Sequence, residues 1–222
     1  MNIFIHGWGF SKEVWKDFFC LEDSVFLDLP YHNSNKNLYK SDILRTFSYE
    51  VSSLIESSNK KVNVIGWSLG ASIAVLSVLE IDQQRINDLV LVGFTPKFLD
   101  KSLGHNPILV KAFLLGLKID FEKTVFSFRE TAVGDRFDNI PLPSKEGSIE
   151  VLKEYINLDL KEKIKDIKAR TTFIHGKQDK IVSINGSIYA NQFLENSTLQ
   201  VVDSHHAPFL DNPQLILEIV SR

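Results

Sequence analysis

Val62-Asn63-Val64-Ile65-Gly66-Trp67-Ser68-Leu69-Gly70-Ala71-Ser72-Ile73-Ala74 reads as a buried strand, a sharp Gly-x-Ser-x-Gly turn and an apolar helix. The glycines at 66 and 70 leave room for neighbouring chain to approach closely. Such a turn lifts the Ser68 hydroxyl above the strand end, and the following helix aims its first N–H groups at the same place. A serine held there attacks a carbonyl if a histidine takes its proton. The pentapeptide alone is common. Its weight comes from lying between a strand pattern and a helix pattern, as the chemistry requires; the competing reading is an ordinary strand–helix turn.

Outward from this stretch, short β-rich runs alternate with amphipathic ones, which predicts an α/β fold with a mostly parallel sheet flanked by helices. Strands are expected over Met1–Ile5, Ser24–Asp28, Lys61–Ile65, Ile86–Gly93, Arg170–His175 and Leu199–Asp203. Helices are expected over Ser41–Ser57, Ala71–Glu80 and Pro213–Val220. From Thr95 to about Lys165 strand signals weaken and helical stretches appear, at Ile108–Leu117 and Ser148–Leu158. The chain therefore divides into a core, 1–94 and 166–222, and a helical cap insertion, 95–165. Many phenylalanines fall in the insertion. Most should pack it onto the core, and a minority should line a ligand cleft, since such clefts are largely apolar.

The 222 residues suffice for one domain with a well-buried core. A net charge of −3 gives no general attraction to nucleic acid or to an anionic membrane. No apolar run approaches a membrane span, and the N-terminus lacks the basic region and cleavage site of a signal peptide. Cys20 is the only cysteine, so no internal disulfide forms, which fits the cytoplasm. It follows Phe18-Phe19 and is expected to be a small buried hydrophobe. His205 and His206 are adjacent and no metal-ligand spacing occurs, which predicts neither metal nor cofactor.

A serine nucleophile needs a base, and the base needs a group to orient it. Two later strand ends supply them. Asp179 follows Phe173-Ile174-His175-Gly176, and His205-His206 follow Val201-Val202-Asp203-Ser204. All lie beyond the C-terminal ends of strands, where open α/β sheets bind ligands.

In this chain order, Ser, Asp, His, the sequence resembles the α/β-hydrolases and differs from trypsin-like and subtilisin-like proteases. Within them it most resembles the pimeloyl-[acyl-carrier protein] methyl ester esterases of biotin synthesis. The shared stretches are His6-Gly7-Trp8-Gly9, Glu13-Val14-Trp15, Asp28-Leu29-Pro30, Gly66-Trp67-Ser68-Leu69-Gly70 and His206-Ala207-Pro208-Phe209, with Ile149–Lys153 through Asp159-Leu160 in the insertion. Similarity is weakest across Thr95–Pro143. The resemblance implies Ser68 as nucleophile, Asp179 as acid and His206 as base. His205 is the rival base and Asp203 the rival acid. It also implies an oxyanion hole formed by the backbone N–H groups of Trp8 and Leu69, with His6 a structural hydrogen-bonder beneath that loop.

Trp8, Trp67, Phe113 and Phe126 are expected to line the substrate pocket. The function implied is hydrolysis of the methyl ester of pimeloyl-[acyl-carrier protein]. The alternatives are a general short-chain carboxylesterase or thioesterase, or a non-catalytic binding protein on the same fold. The insertion carries twelve basic and eleven acidic residues, a net of +1, against −4 for the remainder. The resemblance implies that basic residues of the insertion receive an acidic acyl carrier protein, which makes Lys97, Lys101, Lys111, Lys118, Lys123 and Arg129 the candidates, against the plainer reading of a solvated surface. One departure is that Tyr31-His32-Asn33-Ser34-Asn35 stands where the family has a Gly-rich turn. Another is that no β-hairpin precedes the first strand.

Overall fold

A computed structural model describes residues 1–137 and 139–221; Asp138 of the insertion and Arg222 of the core lie outside them. Six strands form one sheet in the order β2-β1-β3-β4-β5-β6. They are β1 (Asn2–Ile5), β2 (Ser24–Leu27), β3 (Val62–Trp67), β4 (Ile86–Val92), β5 (Thr171–Gly176) and β6 (Ser197–Val202). Every pairing between them is parallel. β1, β3 and β5 are buried along their whole length, whereas the edge strands β2 and β6 are half-covered. That is why the inner strands read as continuous apolar runs.

Alternate side chains feed two cores. Ile3, Ile5, Val64, Leu89 and Leu91 face α1 (Ile43–Ser57) and α2 (Leu69–Leu79). Phe4, Ile65, Val90, Val92 and Ile174 face Trp15, Phe209 and the C-terminal helices α7 (Pro208–Asp211) and α8 (Gln214–Val220). α2 is buried on nearly every side because α1 covers its outer surface, Phe47, Val51 and Ile55 pointing inward. The chain leaves β1 toward β2 on one side and pairs β3 on the other. The crevice at this switch point, between the ends of β1 and β3, is where such sheets bind ligands.

Between β4 and β5 lie α3 (Pro107–Ile119), α4 (Phe121–Val133) and α5 (Lys145–Asn157), and α6 (Ile184–Phe193) follows β5. Asp120 ends α3 and caps α4, its Oδ1 accepting the Lys123 N–H at 3.1 Å. The sequence reading missed α4 because its core-facing positions, Phe121, Val125, Arg129, Ala132 and Val133, include an arginine. It missed α6 because that inner face is made of Gly186, Ser187 and Ala190, too small to give an apolar stripe. Cys20 is exposed, contrary to expectation. The 3₁₀ run Lys12–Phe18 turns Val14, Trp15 and Phe18 inward and leaves Phe19 and Cys20 outside.

The inserted helices are fastened at several points. Glu154 of α5 accepts the N–H groups of Ile43 and Leu44, both at 2.9 Å, capping α1 in place of Asp42. Trp8 Nε1 donates to the Ser148 carbonyl at 2.7 Å.

Candidate active site

Ser68 sits between β3 and α2 with φ 57° and ψ −120°, a left-handed backbone in a non-glycine residue. Its N–H donates to the Val92 carbonyl at 2.8 Å, and its own carbonyl accepts from Ala71 at 3.0 Å. The turn closes only because its flanks lack side chains. A β-carbon at Gly66 would lie 2.5 Å from Ala71 Cα, and one at Gly70 would strike the Ile5 and His6 carbonyls. A β-carbon at Gly7 would lie 3.1 Å from Ser68 Cβ, so the loop after β1 runs directly beside the serine.

His206 precedes α7, and its Nδ1 lies 2.7 Å from Asp179 Oδ2, both side chains being buried. The other carboxylate oxygen accepts the N–H groups of Ile181 and Val182 at 2.8 and 2.9 Å. His175 Nε2 lies 3.3 Å from Oδ2. Burial alone would raise the Asp179 pKa. The nearby His206 and the hydrogen bonds of His175 and His206 outweigh it and hold the carboxyl well below its ordinary range. An ionised Asp179 fixes the proton on His206 Nδ1 and leaves a lone pair on Nε2, which is buried and has no hydrogen-bond partner. Gly93, at φ +56°, makes room for the ring; a β-carbon there would lie 2.9 Å from His206 Cε1. The rivals are elsewhere. His205 is exposed, and Asp203 is exposed and accepts from Gln178 Nε2 at 2.7 Å.

No described residue takes the N–H of Trp8, in the loop after β1, or of Leu69, the first residue of α2. Three side chains hold this loop by its backbone. His6 donates from Nδ1 to the Gly7 carbonyl at 2.7 Å and accepts the Leu29 N–H at 3.0 Å. His32 accepts the Gly9 N–H at 3.1 Å and donates to the Pro30 carbonyl at 2.8 Å. Burial, reinforced by the neighbouring His6, lowers the His32 pKa to about 3, so the ring is neutral. Arg129 completes the set, Nε donating to the Gly9 carbonyl at 2.7 Å. The stretch 31–35, read from sequence only as a departure, thus supplies His32. Asn33 and Ser34 from the same stretch donate to the Asp28 carboxylate.

A largely apolar cavity of about 520 Å³ opens beside Ser68. Trp8 and Phe113 line it as expected from sequence, joined by Phe98, Phe128 and Tyr155. Trp67 and Phe126 do not. Trp67 is fully buried beneath the turn, its ring 4.7 Å from that of Phe10 and its Nε1 donating to the His206 carbonyl at 2.9 Å. Phe126 is on the outer side of α4 against Phe137. The cavity side of α4 is Thr124, Ser127, Phe128 and Thr131, a helical spacing that would have picked Phe128 had the helix been recognised.

Arg129 is also misplaced as a docking residue. It is fully buried, its guanidinium donating to the carbonyls of Gly9, Ile140 and Pro141. Lys97 pairs with Asp159 at 2.8 Å. Lys101, Lys111 and Lys118 are exposed, and Lys123 stands with Lys180 on the cavity's border. No cluster of three or more metal-ligating side chains occurs among the described residues.

Residues 3–219 match a family model described as the Alpha/beta hydrolase family. The chain is 29% identical over 240 residues to a pimeloyl-[acyl-carrier protein] methyl ester esterase of Wigglesworthia glossinidia brevipalpis, covering 98% of this chain and 91% of that one. To the protein of the same name in Aliivibrio fischeri (strain MJ11) it is 26% identical over 242 residues, with the same coverage. An esterase structure from Exiguobacterium antarcticum superposes with a TM-score of 0.87 at 20% identity, covering 99% of this chain and 90% of the other, and so shares its fold. With a match that runs from the first strand to the last helix, the chain belongs to the alpha/beta hydrolase family.

Proposed function

We propose that this chain is a serine carboxylic-ester hydrolase that cleaves the methyl ester of pimeloyl-[acyl-carrier protein], freeing a carboxyl group masked during biotin synthesis. The observation that carries the chemistry is the 2.7 Å contact between His206 Nδ1 and Asp179 Oδ2, with Nε2 left as a free base. The substrate rests on relatives of that name aligned over nearly the whole chain.

In the first step Ser68 Oγ attacks the ester carbon while its proton passes to His206 Nε2. The carbonyl electrons move onto oxygen, where the N–H groups of Trp8 and Leu69 hold the charge. Asp179 stabilises the imidazolium. When the tetrahedral carbon collapses, the C–O bond to the methoxy group breaks and the oxygen takes the proton from Nε2, leaving as methanol. Water then attacks the acyl-enzyme and gives a proton to the same nitrogen; the second tetrahedral carbon collapses, its bond to Ser68 Oγ breaks, and Oγ takes that proton back from Nε2 as the acid leaves. Residues 95–165 act as a cap whose α3 and α4 wall the acyl chain, and exposed lysines on it receive the acidic carrier protein. Among the described residues no helix is long and apolar enough to cross a membrane. The single cysteine fits work in the cytoplasm.

The test is growth of a biotin-requiring strain that lacks its own esterase, run beside p-nitrophenyl esters and fluorophosphonate labelling. Growth supports the full reading. Ester hydrolysis without growth supports the general carboxylesterase or thioesterase. Absence of labelling points to a non-catalytic binding protein.

A further inference from the structure

Oδ2 of Asp179 faces two imidazoles. His206 Nδ1 stands on one side at 2.7 Å and His175 Nε2 on the other at 3.3 Å. The steps of ester cleavage use only the His206 side. His175, the last residue but one of β5, is fully buried.

The oxygens around His175 Nε2 decide its proton. The Val182 carbonyl, at 3.2 Å, only accepts, and so does the ionised Asp179. Nε2 therefore carries the hydrogen and presents it to both. At the other end of the ring the Ser187 hydroxyl bridges Nδ1, at 2.8 Å, and the Phe94 carbonyl, at 3.0 Å. Ser187 is itself fully buried on the small inner face of α6. The ring is thus tied to α6 and to the chain after β4 while its N–H points at the carboxylate. A donor on a carboxylate oxygen draws off charge that would otherwise support a cation on the far side.

We infer that His175 is a positioning residue for Asp179, its Nε2–H taking up part of the carboxylate's charge and so limiting how strongly His206 holds the proton it receives from Ser68. This rests on the esterase reading above and deepens it. His206 must accept that proton and then give it to the leaving oxygen, so a base that holds it too firmly is protonated before the substrate arrives.

The experiment is the pH profile of kcat/KM on a p-nitrophenyl ester for wild type, His175→Asn and His175→Gln. The acid limb reports the base of the free enzyme. Asparagine keeps an amide beside Ser187 and removes the donor at Oδ2. The limb should then move to higher pH by roughly half a unit or more, whatever rate the plateau retains. Glutamine carries an amide nitrogen out to the place of Nε2 and should bring the limb back near that of the wild type. His105 is another titratable side chain whose charge is felt at His206, and Tyr155 another felt at Asp179. Both are the same in all three proteins, and adding His105→Gln should leave the shift in place.

A plateau that drops with the limb unmoved would make His175 a structural residue alone and overturn the inference. So would a limb that moves down, one that moves as far in His175→Gln, or one that stops moving once His105 is replaced. If His175→Asn does not fold, Ser187→Ala frees the ring from α6 without altering it. The limb should then move the same way by less, and an unmoved limb overturns the inference equally. An unmoved limb in an active enzyme leaves the esterase reading standing, whereas a wild type that turns over no ester removes both.

Discussion

Nε of Arg129 on α4 lies 2.7 Å from the carbonyl oxygen of Gly9, the residue after Trp8 in the loop beside Ser68. The same guanidinium holds Ile140 and Pro141 at 2.8 and 2.7 Å, and no carboxylate is paired with it among the described residues. Burial lowers its pKa to about 10, which still leaves it charged at neutral pH. One side chain therefore fixes the inserted helix to the loop beside Ser68. Arg129→Met orphans three carbonyls and should cost on the order of 3 kcal/mol in urea unfolding. Turnover should fall on small and carrier-bound esters alike, whereas a docking residue would affect the carrier-bound substrate alone.

Ser68→Ala should abolish ester turnover in a folded protein, a loss of roughly 10⁴ to 10⁶. His206→Ala should match it, and the double variant should be little worse than either, because base and nucleophile act as one unit. His205 is exposed, so His205→Ala should be at least about tenfold milder. Steady-state rates on a p-nitrophenyl ester check the ranking, and its reversal would move the base to His205.

Asp179→Asn should lower kcat by roughly 10³ to 10⁴ through the His206 tautomer. An asparagine oxygen still accepts the Ile181 and Val182 N–H groups, so stability should change little. Asp203→Asn should be nearly silent, since that exposed carboxylate accepts from Gln178 and from no other described residue. Rates and thermal melts on both variants separate the two acids.

The strands, the turn at Ser68 and the order of the three polar residues were legible because each leaves a local pattern: an apolar run, paired glycines, a polar residue just past a strand. What supports them was not. Arg129 and His32 look like surface residues in the sequence, because their partners are backbone carbonyls and amides far along the chain. Trp67 and Phe126 were assigned to the pocket by nearness in sequence to Ser68 and by aromatic character. The strand alternation sends Trp67 to the far side of the sheet, and the unrecognised α4 turns Phe126 outward.

His32 gives the fold a pH dependence of definite sign. In the unfolded chain it protonates near its ordinary 6.5, and in the folded protein only near about 3. Between these values the unfolded state binds a proton that the folded state refuses, so stability present above pH 6.5 is lost as pH falls. The half-buried His105, also lowered by burial, acts in the same direction. Asp28 and Asp179 add their losses only further into acid. Melting temperatures between pH 6.5 and 4.5 should therefore fall, and His32→Gln, whose side-chain oxygen accepts the Gly9 N–H without titrating, should flatten the slope. An unchanged slope would assign the loss to another group.

Lys111 and Lys118 test the carrier protein. Both are exposed on α3, a helix without an acidic residue, among the exposed apolar side chains of Ile108, Leu115 and Ile119. Neither is held in an ion pair among the described residues, unlike Lys97 with Asp159. An acidic partner would be steered by these charges, which act mainly on the association rate and are screened by salt. Reversing both lysines to glutamate should lower kcat/KM on the carrier-bound methyl ester by about tenfold and flatten its salt dependence. A small p-nitrophenyl ester has no acidic body to steer and should be turned over as before. Equal losses on the two substrates would mean that the double reversal damages the helix, since the small ester needs only the cavity. No loss on either would leave these lysines as solvated surface and move carrier docking to Lys123 and Lys180, the two cations that border the cavity.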